Sequence, residues 1–228
     1  MVSHGDSRRK QRRIAALQLV LWLLPTALAL APALHADFIW DDFRQVVRSE
    51  QVRQLDSIPG YFTHHVWELE EDFDAAEGVR LYRPAFQTAL AVQYWLWGGA
   101  SAAGFHLGSL LIHLAVALLL WQLARRWLGG GGWPAVAVAL MFGMHPVTAE
   151  SYAWISALTD LLAALGMLAA LLLLERCGVA DDRAPPSTRG RWGLAVGAGG
   201  LFLLGLLAKE VALLALPAIT AWMVLGRR

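Results

Sequence analysis

Asp41 and Asp42 are adjacent carboxylates framed by Phe38, Ile39, Trp40 and Phe43, where the first apolar stretch gives way to a polar one. Ionisable groups at such an edge are costly unless solvated or used, so this pair is the first candidate for proton transfer or ion binding. Three further polar knots break the apolar sequence: Leu81-Tyr82-Arg83-Pro84, His145-Pro146-Val147-Thr148-Ala149-Glu150 and Ala208-Lys209-Glu210. Asp41, Asp42 and His145 are residue types that could share a divalent cation, although no metal-binding motif is written in their spacing.

The elements that must position these knots are helices in a membrane. Of 228 residues, 57% are hydrophobic and 16% charged, where an ordinary soluble domain carries roughly 25% charge. The single Cys177 excludes an internal disulfide and a cysteine-rich metal site. There is no P-loop, dinucleotide fingerprint, nucleophile elbow or nucleic-acid motif.

Residues 1–13 form a basic tail with Arg8, Arg9, Lys10, Arg12 and Arg13, and residues 14–34 form an apolar run long enough to span a bilayer. The pattern reads as a signal anchor. A cleavable signal peptide competes, because Ala-Pro-Ala-Leu-His-Ala ends the run, but the length of the run and the spans after it favour the anchor. Residues 35–103 read as a long extracytoplasmic loop holding the candidate active site and an acidic cluster of Glu68, Glu70, Glu71, Asp72, Asp74 and Glu77. Such a charge run is usually a solvated face. Within this loop, residues 84–98 are an aromatic-rich helix too short to cross, placed at the membrane interface. Residues 104–228 form a bundle with spans near 104–124, 133–147, 154–174, 193–208 and 211–226.

The expected fold is therefore all-α and integral to the membrane, with about six transmembrane helices and a long first extracytoplasmic loop containing an interfacial helix. The distribution of basic residues supports that parity. Six spans place thirteen of the nineteen Lys and Arg residues on the N-terminal, cytoplasmic side and six (Arg44, Arg48, Arg53, Arg80, Arg83 and Lys209) outside. All four polar knots then share the external face. The preference for Arg over Lys is that of a GC-rich bacterial gene, which points to a bacterial plasma membrane.

The order and spacing of these pieces resemble the polytopic GT-C type glycosyltransferases, most closely the N-terminal part of transmembrane and tetratricopeptide-repeat O-mannosyltransferases and their bacterial relatives. The matching pieces are an aromatic followed by Asp41-Asp42, then Tyr82-Arg83-Pro84 before a Trp-rich helix, and Gly104-Phe105-His106-Leu107 with His113. They continue with His145-Pro146-Val147 and Glu150, Ala153-Trp154-Ile155-Ser156, Asp160-Leu161-Leu162-Ala163, and Lys209-Glu210. The chain departs from the pattern at Thr148, Ala149 and Leu158. The family usually has around eleven spans, so the expectation is a partial enzyme or one completed by a second chain.

The resemblance implies transfer of a sugar, mannose in the nearest members, from a polyprenyl-phosphate donor to a hydroxyl of a protein or glycan outside the cytoplasm. One carboxylate of Asp41-Asp42 would act as general base in an inverting displacement. Arg83 and Lys209 would stabilise the departing phosphate, and Tyr82, His145, Glu150 and Glu210 would complete the binding site. Each residue also has a plainer reading. Asp41-Asp42 could cap a loop helix, His145-Pro146 could simply end one, and Lys209-Glu210 could be an ion pair at a hairpin tip. A small transporter is the third reading, with Asp160 facing a water-filled cavity. It stands beside a non-catalytic membrane subunit or remnant, and neither requires nucleic acid.

Overall fold

The computed structural model describes residues 4–66, 81–128, 132–177 and 188–225; the acidic cluster from Glu68 to Glu77 and the Pro-rich loop lie outside them. The described residues form helices and turns, with no strand among them. In order these are α1 (His4–Leu30), α2 (Ile58–Tyr61), α3 (Pro84–Leu96), α4 (Ala102–Trp127), α5 (Trp133–Met144), α6 (Ala149–Ala153), α7 (Leu158–Arg176), α8 (Thr188–Ala208) and α9 (Ala215–Leu225).

Among the described residues, four segments are long and apolar enough to cross a membrane: Arg9–His35, Ala102–Trp127, Ile155–Arg176 and Gly190–Ala208. Trp133–Met144 and Glu210–Ala221 are apolar but shorter. At 1.5 Å per residue, the twelve residues of α5 reach only about 18 Å. Six helices thus carry the apolar sequence, and four have full spanning length.

The helix ends follow local chemistry. Pro84 opens α3 at a position where its missing N–H costs nothing. Gly98 and Gly99, at φ 69° and 136°, turn the chain toward α4. Ser101 caps α4, its hydroxyl accepting from the Gly104 amide. His145 takes an extended conformation ahead of Pro146 and stops α5. The span expected near 154–174 appears as Ile155–Arg176, set off from α6 by one extended residue. α6 stops at Ala153, Trp154 is extended, a tight turn covers Ile155–Ala157, and α7 begins at Leu158.

Contacts fix how the helices run. Gly132 lies against Gln18 and Arg125, whereas Gly143 lies against Thr26, so α5 runs parallel to α1 and antiparallel to α4. Glu175 meets Trp127 and Arg126 at the end of α4, and Lys209 meets Asp160 at the start of α7. One end of the bundle therefore gathers the start of α1 with Arg125, Arg126, Arg176 and Arg191; the other gathers the four polar knots.

Two cores sit at these two levels. Trp22, Ala117, Trp121, Ala124, Ala135, Val136 and Ala139 join α1, α4 and α5 toward the basic end. At the other end, Phe86 and Leu90 of α3, Phe105 of α4, and Ile155, Leu158 and Leu161 close over Val46 and Val52 of the first loop. This second core holds the loop and α3 down onto the helix ends.

α7 and α8 pack closely enough to require glycine. A Cβ on Gly166 would stand 2.6 Å from the Leu201 carbonyl oxygen and 2.8 Å from the Gly205 Cα, both backbone atoms with no room to give. A Cβ on Gly199 would meet nothing within 4 Å. We expect Gly166→Leu to lower the unfolding temperature of the detergent-solubilised protein, in keeping with an overpacking cost of at least about 1–3 kcal/mol. Gly199→Ala, which meets open space inside α8, should not lower it.

Candidate functional site

The two carboxylates of the first loop have opposite surroundings. Asp42 is fully buried. Its Oδ1 accepts from the Ser156 amide at 2.8 Å and the Ser156 hydroxyl at 2.6 Å, and its Oδ2 accepts from the Ile39 amide at 3.1 Å. Three donors therefore satisfy one buried carboxylate, which makes it a latch between the first loop and the turn before α7. Asp41, one residue earlier, is exposed and has no polar partner among the described residues.

Trp40 prepares this division. Its φ of 46° is the one positive value at a non-glycine residue among the described residues, an uncommon conformation for a bulky side chain. The Trp40 ring packs edge-on against Trp154 at 5.7 Å between centroids. Trp40 to Trp154 and Asp42 to Ser156 are thus parallel ties between the same two segments.

Two ion pairs lie alongside. Lys209 Nζ is 2.6 Å from Asp160 Oδ1, and Arg83 is 3.2 Å from Glu210 Oε1. Lys209 and Glu210 do not close a hairpin tip on each other; each reaches a different segment. Asp160 follows Ser156 by four residues, about 6 Å of helix rise. One short stretch of chain therefore holds the Asp42 loop at its start and the Lys209–Glu210 corner at its end, and Glu210 carries the tie on to Arg83. Asp160 is paired with Lys209, its side chain 40% exposed.

The remaining candidates are peripheral to these ties. The Tyr82 hydroxyl donates to the Phe62 carbonyl across the loop. Burial pushes the Tyr61 phenol up to about 12, so it stays a donor, to the Gln51 carbonyl. His145 is exposed, and its Nδ1 accepts from the Val147 amide, which supports the plainer reading of His145-Pro146 as a helix end. Glu150 is exposed in the first turn of α6. His106 and His113 are fully buried on one face of α4; His113 bonds the Gly143 carbonyl and stacks on Phe142. Among the described residues no three of His, Cys, Asp and Glu come together as a metal site. The oxygens of Asp42 are already committed, so the idea of an ion shared with Asp41 and His145 gains no support from the geometry.

The functions of Ser156 and Asp160 as anchors were not readable from the sequence. Their short polar side chains stand beside Trp154 and Leu161, and nothing in their spacing from Asp42 or Lys209 announces the pairing.

The chain resembles the protein O-mannosyl-transferases over most of its length. It is 30% identical over 207 residues to mouse protein O-mannosyl-transferase TMTC2, covering 86% of this chain and 23% of that protein, with the same figures for the human protein. Mouse protein O-mannosyl-transferase TMTC4 is 26% identical over 157 residues, covering 64% of this chain and 21% of that protein. The expected resemblance is thus borne out, with relatives from animals. The chain spans less than a quarter of the length of these relatives. No family model matches, and no solved structure matches.

The latch and the outer pair separate in solution. Ser156→Ala removes the 2.6 Å bond to a buried carboxylate and should cost about 1–3 kcal/mol, seen as a lower unfolding temperature and faster proteolysis of the first loop. The Glu210 carboxyl is held below the usual carboxylate range, first by its own backbone amide, against a smaller opposing effect of burial, and then by the charges of Arg83 and Lys209. A carboxyl depressed by folding stabilises above its unfolded value of about 4.3, and that contribution is lost as the pH falls through the folded value. The small stability difference between wild type and Glu210→Gln should accordingly be present at neutral pH and vanish in acid, as pH-resolved thermal melts would record.

Proposed function

We propose that this chain is the catalytic part of a GT-C type glycosyltransferase, moving mannose or a related sugar from a polyprenyl-phosphate donor to a hydroxyl of a protein or glycan. The observation that carries the reading is the division of labour in Asp41-Asp42: one carboxylate buried and saturated, the next exposed and free of polar partners. Relatives named protein O-mannosyl-transferases support the reaction class.

In this reading Asp41 is the base. It takes the proton of the acceptor hydroxyl as that oxygen attacks the anomeric carbon, and the sugar–phosphate bond breaks on the opposite face, inverting the centre. Asp42 is a positioning residue that holds its neighbour by binding Ser156. The departing polyprenyl phosphate carries negative charge, and Arg83 and Lys209 are the cations of this end of the bundle suited to receive it. Both are already paired, so the phosphate would displace Glu210 and Asp160 from them. In this reading Tyr82, His145, Glu150 and Glu210 would complete the binding site. The membrane reading places this site outside the cytoplasm, with six spans, a cytoplasmic N-terminus and α3 lying in the interface. A bacterial plasma membrane fits the arginine-rich composition.

A second reading is a subunit or remnant that acts only with another chain. It draws on one observation: the relatives are more than four times longer than the part matched.

The deciding assay is sugar transfer in membranes carrying the full chain, with radiolabelled polyprenyl-phosphate mannose. Asp41→Asn should lower transfer by at least about a hundredfold while the unfolding temperature stays at the wild-type value. Asp42→Asn should lower both together. Full activity in Asp41→Asn would exclude it as the base, and a wild-type chain that transfers nothing until a second chain is supplied would favour the subunit reading.

A further inference from the structure

At the end of the bundle remote from Asp41, the last turns of α4 form a recess of about 400 Å³ lined by Gln122, Arg125 and Arg126. Along α4 this lies about 32–38 Å from Ser101, roughly the thickness of a bilayer's hydrocarbon core with part of its headgroup layers. We propose that the recess binds the phosphate-bearing headgroup of an anionic membrane phospholipid.

The side chains are held ready for such a group. The Arg125 guanidinium carbon lies 4.6 Å from the centre of the Trp121 ring, and the side chain is half-buried. Stacking on indole fixes the plane of the guanidinium while leaving its N–H edge to donate, an arrangement that suits a phosphate better than a flexible ammonium does. Room for it depends on Gly132, at φ 85°, where a Cβ would come within 3.0 Å of Arg125 Nε. No carboxylate pairs with Arg125 among the described residues. Among the described residues Arg126 pairs with Glu175 at 4.0 Å, and that carboxylate also accepts from Trp127 Nε1.

The charge around the recess points the same way. Arg9, Lys10, Arg12 and Arg13 are exposed on the first turns of α1, which approaches the recess through Gln18 and Gly132. Arg176 and Arg191 stand at the same end, on α7 and α8. Compensating the α4 dipole calls for about half a positive charge, and two guanidiniums exceed that. A leaflet carrying anionic lipid supplies the missing negative charge, and Trp127 and Trp133, both about half exposed, sit at the level where indole favours headgroups.

The test uses the full chain purified in neutral detergent, mixed with phosphatidylglycerol or phosphatidylcholine, and read by native mass spectrometry for retained lipid. Wild type should retain one phosphatidylglycerol in preference to phosphatidylcholine. Arg125→Gln with Arg126→Gln should weaken that retention about tenfold to thirtyfold, from roughly 1 kcal/mol for each arginine near an anionic surface. Arg12→Gln with Arg13→Gln, outside the recess, should keep most of it.

Equal retention of the two lipids by wild type would overturn the proposal. So would undiminished retention in the Arg125, Arg126 variant, or an equal loss in the Arg12, Arg13 variant, which would mean diffuse charge rather than a site. Displacement of the lipid by millimolar inorganic phosphate would reassign the recess to a free anion. Should the double Gln variant fail to fold, Arg125→Lys with Arg126→Lys is read instead. Weaker retention supports the fork geometry, and wild-type retention overturns it.

Discussion

The site end of this protein depends on burying one carboxylate. Asp42 has no contact with water, and an isolated carboxylate in such a place would cost several kcal/mol or take up a proton. Three hydrogen-bond donors make the burial tolerable, and two of them belong to Ser156, 114 residues further along the chain. The requirement to satisfy Asp42 therefore dictates that the first loop cross over and meet the turn before α7. Trp154 is extended and the tight turn Ile155–Ala157 leads into α7, so the Ser156 amide is one of the first-turn donors that lack an intrahelical acceptor and is free to bond Asp42.

The same few residues carry the constraint outward. Ser156 and Asp160 are about one helical turn apart, so fixing the loop also fixes the position of Lys209, and with it Glu210 and Arg83. Four segments far apart in sequence become one rigid corner through a short stretch of α7. Asp41 is left exposed at its edge, next in the chain to the buried Asp42.

Strain and close packing mark where the chain departs from comfort to make this corner. Trp40 holds a left-handed backbone while its ring rests on Trp154. Gly166 and Gly205 let α7 and α8 approach backbone to backbone, so that Asp160 and Lys209 are brought to the same level. In an apolar medium helices gain little from burying leucine, and small residues with polar ties do that work.

Much of this was legible from residue order alone. Hydropathy located six apolar segments, because the cost of exposing backbone in lipid forces long apolar runs into helices. Pro84, Gly98 and Pro146 marked helix ends, since their effects act within a few bonds. The candidate pair Asp41-Asp42 stood out as charge at the edge of an apolar run. Which carboxylate is buried, that Lys209 and Glu210 face different partners, and that Ser156 and Asp160 are anchors were decided only by the tertiary structure. Those outcomes rest on distances between residues 49 to 127 positions apart, set by how α4, α7 and α8 pack, and no local preference of a serine or an aspartate encodes them.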